Sequence, residues 1–370
     1  MRVFILFLIV FDLAIPPLKF LGSAFVAIFL MLPELRRRIC INRFVFNLSI
    51  LRYPIFILVM VLFFSIISTI FSSTNEMVFV FSICKSVVIF LACILYVSIF
   101  EINNLKYDLV NIFFINSVVC FIAGSNDFLL NLVYTFKPDD ALMSWIPYRN
   151  SFLAGSGFFG ISTAYGLVFF LIAYILKTSK QPLYFYLKII VIILAGVIAG
   201  RIAMLGLVFG CFLFLSDFKK LLIFSIFLIV SIYIFLSIDT LSAYSGWLFE
   251  FMNNDGASTE STDILMSMYE TPMSSSQFLF GDGLYDNYYM GVDAGYLRHL
   301  YFGGIVLVLL AIAYPFTFAL SNKNLLFLFF IVPICLIFHL KGAFIFHSRI
   351  GMPVLFMLSV IFRSNKVVRS

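Results

Sequence analysis

Long apolar runs separated by short polar breaks fill this chain, and runs such as Ile189 to Ala199 and Leu325 to Val332 show no polar alternation. A membrane barrel strand alternates apolar and polar residues, so these runs predict helices. A helix crossing a bilayer needs about 20 apolar residues. Twelve such spans are predicted. The first six are Val3–Ala14, Leu18–Pro33, Tyr53–Phe71, Met77–Phe100, Leu109–Gly124 and Gly160–Leu176. The others are Pro182–Ala199, Ile202–Leu215, Leu221–Ile238, Leu300–Leu320, Leu325–Leu340 and Ile350–Phe362. The first span is short and Pro16-Pro17 follows it, so one bent or re-entrant element there is an alternative. As one helix, Ile189 to Leu215 would be about 40 Å long, too long for a core about 30 Å thick. Lys177, Lys180 and Lys188 precede it and Lys219 and Lys220 follow, so a hairpin turning near Gly200-Arg201 puts both basic flanks on one side.

The pattern predicts an all-α, polytopic transmembrane bundle, a single integral membrane domain over residues 1–370. Two long outer loops interrupt it, at 125–157 and 239–298. The second is expected to be partly helical, because Ile264, Leu265, Met268 and Tyr269 fall on one face at helical spacing. Composition agrees: 63% of residues are hydrophobic and 11% charged, where soluble domains carry about 25% charged residues. With both termini inside, the inner loops hold most of the Lys and Arg and the outer loops most of the acids, as the positive-inside rule requires. The net charge of +6 therefore reflects topology and implies no nucleic-acid partner. No cleavable signal peptide and no internal repeat are evident. The six cysteines form no CxxC pair and no metal spacing, and read as small buried hydrophobes.

Candidate chemistry lies where basic residues oppose the topology rule. Arg201, at the outer mouth of the hairpin, is a charge near membrane depth, which marks function by default; its plain alternative is tying helix ends together. Arg298 and His299 sit where the second outer loop re-enters the membrane. Arg298 offers a planar donor fork to phosphate oxygens, and His299 suits a general base or a phosphate donor. Interfacial anchoring is the alternative for both. Arg149 lies on the first outer loop, and His347 and Arg349 precede the last span. His339, inside an apolar helix, reads as a core histidine. Asp293 and Tyr296 share the approach to Arg298 at helical spacing, so Asp293 is a candidate to orient Arg298 or an acceptor, with helix capping as its alternative. Tyr285, Tyr288, Tyr289, Tyr296 and Tyr301 suit sugar faces or a membrane-interface belt. No DxD, HExxH or P-loop is present, so neither metal nor cofactor is expected. Converging guanidiniums at a membrane surface suit a lipid diphosphate.

Three stretches carry a family resemblance: Phe278-Leu-Phe-Gly281-Asp-Gly283; Asp293-Ala-Gly295-Tyr296-Leu-Arg298 followed by Tyr301-Phe-Gly303-Gly304-Ile305; and Gly200-Arg201-Ile-Ala-Met-Leu-Gly206. In order and placement, with Arg149-Asn-Ser-Phe-Leu-Ala-Gly-Ser-Gly157, they resemble bacterial O-antigen polymerases, within the O-antigen ligase and polymerase superfamily. The resemblance implies a metal-independent glycosyltransferase at the outer face of the inner membrane. Its substrate would be an undecaprenyl-diphosphate-linked oligosaccharide repeat unit, with membrane lipid around it and a chain-length regulator protein as a further partner. It also implies that Arg201 and Arg298 bind the diphosphate; on their own chemistry Arg149 is a further diphosphate-binding candidate, and His299 and Asp293 are catalytic candidates. Alternatives remain an O-antigen ligase, which shares fold and arginines, and a lipid-linked oligosaccharide flippase or transporter. A flippase should carry charges deep in several helices, and here these are chiefly Asp12 and Lys85.

Overall fold

The computed structural model describes residues 1–16, 21–41, 52–72, 77–137, 147–215, 217–237, 260–285, 292–347 and 349–367. Among them the chain is about 81% helical and has no strand. In chain order the helices are α1 (Arg2–Phe11), α2 (Ser23–Cys40), α3 (Arg52–Phe71), α4 (Val78–Ile99), α5 (Leu105–Gly124), α6 (Asp127–Thr135), α7 (Pro147–Asn150) and α8 (Phe158–Thr178). They continue with α9 (Leu183–Ala199), α10 (Met204–Phe212), α11 (Phe218–Ser237), α12 (Glu260–Tyr269), α13 (Ser275–Phe280), α14 (Gly295–Asn322), α15 (Val332–Lys341) and α16 (Gly351–Val367). Five described helices are long and apolar enough to cross a membrane: α3, α4, α5 with the short turn before it, α8 and α14. This is an all-α membrane protein.

α3 shows the lipid-facing pattern most plainly. Phe56, Val59, Phe63, Ile66 and Ile70 form an exposed apolar stripe, whereas Leu58, Val61, Ser65 and Thr69 are buried. Small and hydroxylated residues inside with large apolar ones outside is the arrangement expected in hydrocarbon, where helices gain from close packing and not from hiding apolar surface. Ser65 and Thr69 donate to the carbonyls four residues back, at 2.6 and 2.9 Å.

The chain divides into two compact units, Met1–Ser23 with Asn104–Glu260 and Ala24–Asn103 with Ser261–Ser370. In the first, α8 is the central helix, and Gly160 to Ile175 is buried throughout. α9 ends at Gly200 and a single 3-10 turn, Arg201–Ala203, leads into α10. The helix breaks at the predicted point. The span expected over Ile202–Leu215 is shorter than predicted, because the turn uses its first residues and the chain leaves the helix after Phe212. A Cβ on Gly206 would lie 1.8 Å from the Gly166 carbonyl oxygen, so α10 crosses α8 backbone to backbone. The second unit holds α2–α4 and α12–α16. There α2 runs on past Pro33 through Arg36, Arg37 and Arg38. Glu34 pairs with Arg37 and Arg38 at 2.8 and 3.1 Å, which supports that last turn and holds the Glu34 carboxyl below its usual range.

The span expected over Leu300–Leu320 is the greater part of a longer, broken helix. α14 loses helical geometry at Gly303 and Gly304, the latter with φ 65° and ψ −165°, a conformation essentially restricted to glycine. The break is locked from outside. The Asp282 and Gly283 amides donate to the carbonyls of Tyr301 and Phe302 at 2.6 and 3.1 Å, and the Ser68 hydroxyl of α3 also donates to Phe302, at 2.6 Å. Gly281, at φ 72°, closes the lock: its missing Cβ would sit 2.6 Å from Phe302, and one on Gly304 would sit 2.2 Å from the Leu279 carbonyl oxygen. A capping box between Ser274 and Gln277 opens α13, and the Gln277 amide donates to the Asp282 carboxylate at 2.8 Å.

Candidate functional site

The break detaches Gly295–Phe302 as a short helix with its own direction, and this piece carries Tyr296, Arg298 and His299. Gly295 sets its position: a Cβ there would lie 2.5 Å from the His339 carbonyl oxygen and 2.6 Å from that of Gly342. α14 therefore begins in contact with the C-terminal end of α15, and His299 meets His339.

Arg298 is 5% exposed. Its Nε donates to the Val292 carbonyl at 3.3 Å, its terminal nitrogen lies 3.6 Å from the Asp293 carboxylate, and its guanidinium stands 5.7 Å from the Tyr285 ring centroid. Asp293 itself is largely exposed, two residues before the helix begins and making no cap; the N-cap is Ala294. It thus pairs loosely with Arg298 and leaves carboxylate surface free for solvent. Tyr296 turns inward, its hydroxyl donating to the Leu336 carbonyl at 3.2 Å and its ring edge-on to His339.

All three histidines of the chain gather in this unit. His339 Nε2 lies 2.9 Å from His299 Nδ1, and the amides of Phe344 and Ile345 donate to His339 Nδ1 at 3.2 and 3.1 Å. Both rings are fully buried. The Tyr285 ring packs on both His299 and His347, at 5.8 and 5.6 Å between centroids, and Phe79 of α4 packs on Tyr285 and His299. His347 is half-buried, in the loop between α15 and α16. Burial pushes its imidazole down to about 3, with the positive charges of Arg298 and Arg349 acting the same way, so it is neutral at physiological pH. The His299 Nε2 and His347 Nδ1 atoms are buried without a hydrogen-bond partner.

Asp293, Arg298, His299, His347 and Arg349 are therefore neighbours in the second unit. Arg149 and Arg201 belong to the first. Arg149 ends α7 with its guanidinium 4.1 Å from the Phe158 ring centroid, and Arg201, half-buried, opens the 3-10 turn after α9. The tyrosines expected to face sugars divide: Tyr285 and Tyr301 are buried, whereas Tyr288 and Tyr289 lie outside the described residues. The residue that sequence reasoning undervalued is His339. It is a core histidine, as expected, but it also holds His299 and the loop bearing His347. The signal available was that every histidine falls between positions 299 and 347.

No protein-family model, curated protein or solved structure matches this chain.

Proposed function

We propose that this protein is an O-antigen polymerase. It joins undecaprenyl-diphosphate-linked oligosaccharide repeat units at the periplasmic face of the inner membrane, with twelve spans and both termini in the cytoplasm. The observation that carries this reading is the cluster on the broken end of α14, where a buried arginine, an exposed carboxylate and two histidines meet beside a membrane-crossing helix. A guanidinium taken out of water and steered by one carboxylate favours an anionic group with a fork of oxygens. In a membrane protein that group arrives on a lipid. Arg298 would neutralise the diphosphate as it departs, which is transition-state stabilisation by fixed charge. Asp293 would hold Arg298 in place and, on its exposed side, accept from an acceptor-sugar hydroxyl. Arg201 keeps the diphosphate-binding role that the resemblance gives it, and Arg149 stands as a further candidate.

The test is the glycolipid pattern of a strain whose own copy of the gene is deleted. The deletion should leave single-repeat glycolipid, and this chain should restore a ladder. Loss of all polymer and single-repeat product alike would identify a ligase, and repeat units trapped inside the cell a flippase; either pattern would sink the polymerase reading.

A further inference from the structure

The hydrogen bonds around His339 have a direction, and it fixes what His299 can do. Two backbone amides aim at His339 Nδ1, at 3.2 and 3.1 Å. An amide only donates, so Nδ1 must carry a lone pair and the His339 proton sits on Nε2. That Nε2–H points at His299 Nδ1, 2.9 Å away. His299 Nδ1 is then an acceptor, and the His299 proton is forced onto its Nε2. This last atom is buried and has no hydrogen-bond partner. Packed on the His299 ring are those of Phe79, Tyr285 and Phe346, whose faces are weak acceptors. The chain of donation starts at the Phe344 and Ile345 amides and ends in one unused N–H.

We propose that His299 serves as a hydrogen-bond donor to a phosphate oxygen, and that His339 is the positioning residue that makes it one. The ligand class rests on the proposed function; the assignment of the proton does not. A neutral imidazole whose Nδ1 is already taken has no lone pair left to act as a base. What it offers is an N–H on the residue next to Arg298, with the Tyr285 ring packed against both side chains. A group that fits both is an acceptor-only oxyanion, the diphosphate of a lipid-linked donor. His299 has no exposed surface, so that oxygen reaches Nε2 when the surrounding aromatic side chains give way.

With three histidines in the chain, nitrogen-15 histidine labelling of the intact protein in nanodiscs gives a spectrum assignable by single substitutions. The expected result is His299 as the Nε2–H tautomer, and a mixture of both tautomers once His339→Phe removes the donor. Farnesyl diphosphate should shift the His299 Nε2 signal, whereas farnesol should not. Inorganic pyrophosphate distinguishes the source: a shift as large as that from the lipid form points to a free-phosphate ligand and overturns the lipid-linked assignment. In the ladder assay, His299→Gln keeps a side-chain amide N–H near Nε2 and should retain polymer within about tenfold, while His299→Ala loses it. A resting Nδ1–H tautomer, or equal loss in Gln and Ala at equal protein level, overturns the donor role. Should the wild-type chain make no polymer, the functional reading falls and the tautomer spectrum still decides the proton.

Discussion

At the scale of single residues, charge in a dry place separates function from tolerance. Arg298 is 5% exposed and holds Asp293 at 3.6 Å. If it binds a diphosphate, Arg298→Ala should be inserted normally yet leave single-repeat glycolipid. Arg298→Lys should recover part of the ladder, since an ammonium keeps the charge and loses the planar fork. The same pair of substitutions at Arg201 should give the same order, and a full ladder from Arg201→Ala would reduce that residue to an anchor. Lys137 is the contrasting case. It is 1% exposed, makes no ion pair among the described residues, and burial depresses its amine from 10.5 to about 8. In the unfolded chain the amine holds its proton up to about 10.4. Below pH 8 both states are charged and the full cost of burying the charge is felt. Between 8 and 10.5 the unfolded chain binds more protons, so stability rises with pH, and above that range the cost is gone. The gap is worth on the order of 3 kcal/mol. Lys137→Met should therefore raise the melting temperature at pH 7 and flatten its rise between pH 8 and 10.5. An unchanged slope would show that the ammonium is solvated.

At the scale of elements, the glycine pair Gly281 and Gly304 aims the site. Both adopt positive φ with ψ near 180°, and a Cβ on either would strike the backbone of the opposite segment, Phe302–Gly303 or Leu279–Phe280. Gly304→Ala should cost on the order of 3 kcal/mol, from backbone strain and from the forced separation of α13 from α14. The prediction is a lower melting temperature with loss of the ladder. Gly157→Ala is the control, because nothing lies within 4 Å of its Cβ position and its backbone is extended; it should be neutral. Equal stability of Gly304→Ala and Gly157→Ala would mean the break is not locked. Much of this element scale was legible beforehand. The spans at α3, α4, α8 and α9 fall within two residues of their hydropathic limits, because lipid imposes the length. The Gly303-Gly304 pair stood out only within the resemblance and read as lying inside a continuous span, since hydropathy carries no information on φ. α6 was missed because nine residues of mixed character look like loop. The inward side of α12 was half right: Leu265 and Met268 pack on the cluster of Val292, Ala294, Leu297 and Tyr301, whereas Ile264 is about half exposed. The His299–His339 pair joins two helices 40 residues apart, and no periodicity within one helix reports a contact between two.

At the scale of the whole molecule, orientation follows from the charges between helices. On the proposed plan the inner loops carry Arg36, Arg37, Arg38, Arg43, Arg52, Lys106, Lys177, Lys180, Lys219, Lys220, Lys323, Arg363, Lys366 and Arg369. The outer loops carry Glu76, Asp127, Asp139, Asp140, Asp239, Glu250, Asp255, Glu260, Asp263, Glu270, Asp282, Asp286 and Asp293. Inverting the plan would move these fourteen cations outward, out of the chain's 24 Lys and Arg, against the bias that sets insertion. Lys180 lies in the connection between α8 and α9, and α8 is long and apolar enough to cross a bilayer; Asp255 lies outside the described residues, in the second long loop. A phosphatase–galactosidase reporter fused after Lys180 should therefore read cytoplasmic and one after Asp255 periplasmic. The second fusion decides more. The connection from Ser237 to Glu260 joins α11 to α12, and α12, through Leu265 and Met268, packs on the segment that carries Asp293 and Arg298. On the proposed plan that connection and the cluster lie on the same side. A cytoplasmic signal after Asp255 would place the cluster with nucleotide-activated sugars instead of translocated repeat units, and would end the polymerase reading whatever the mutants did.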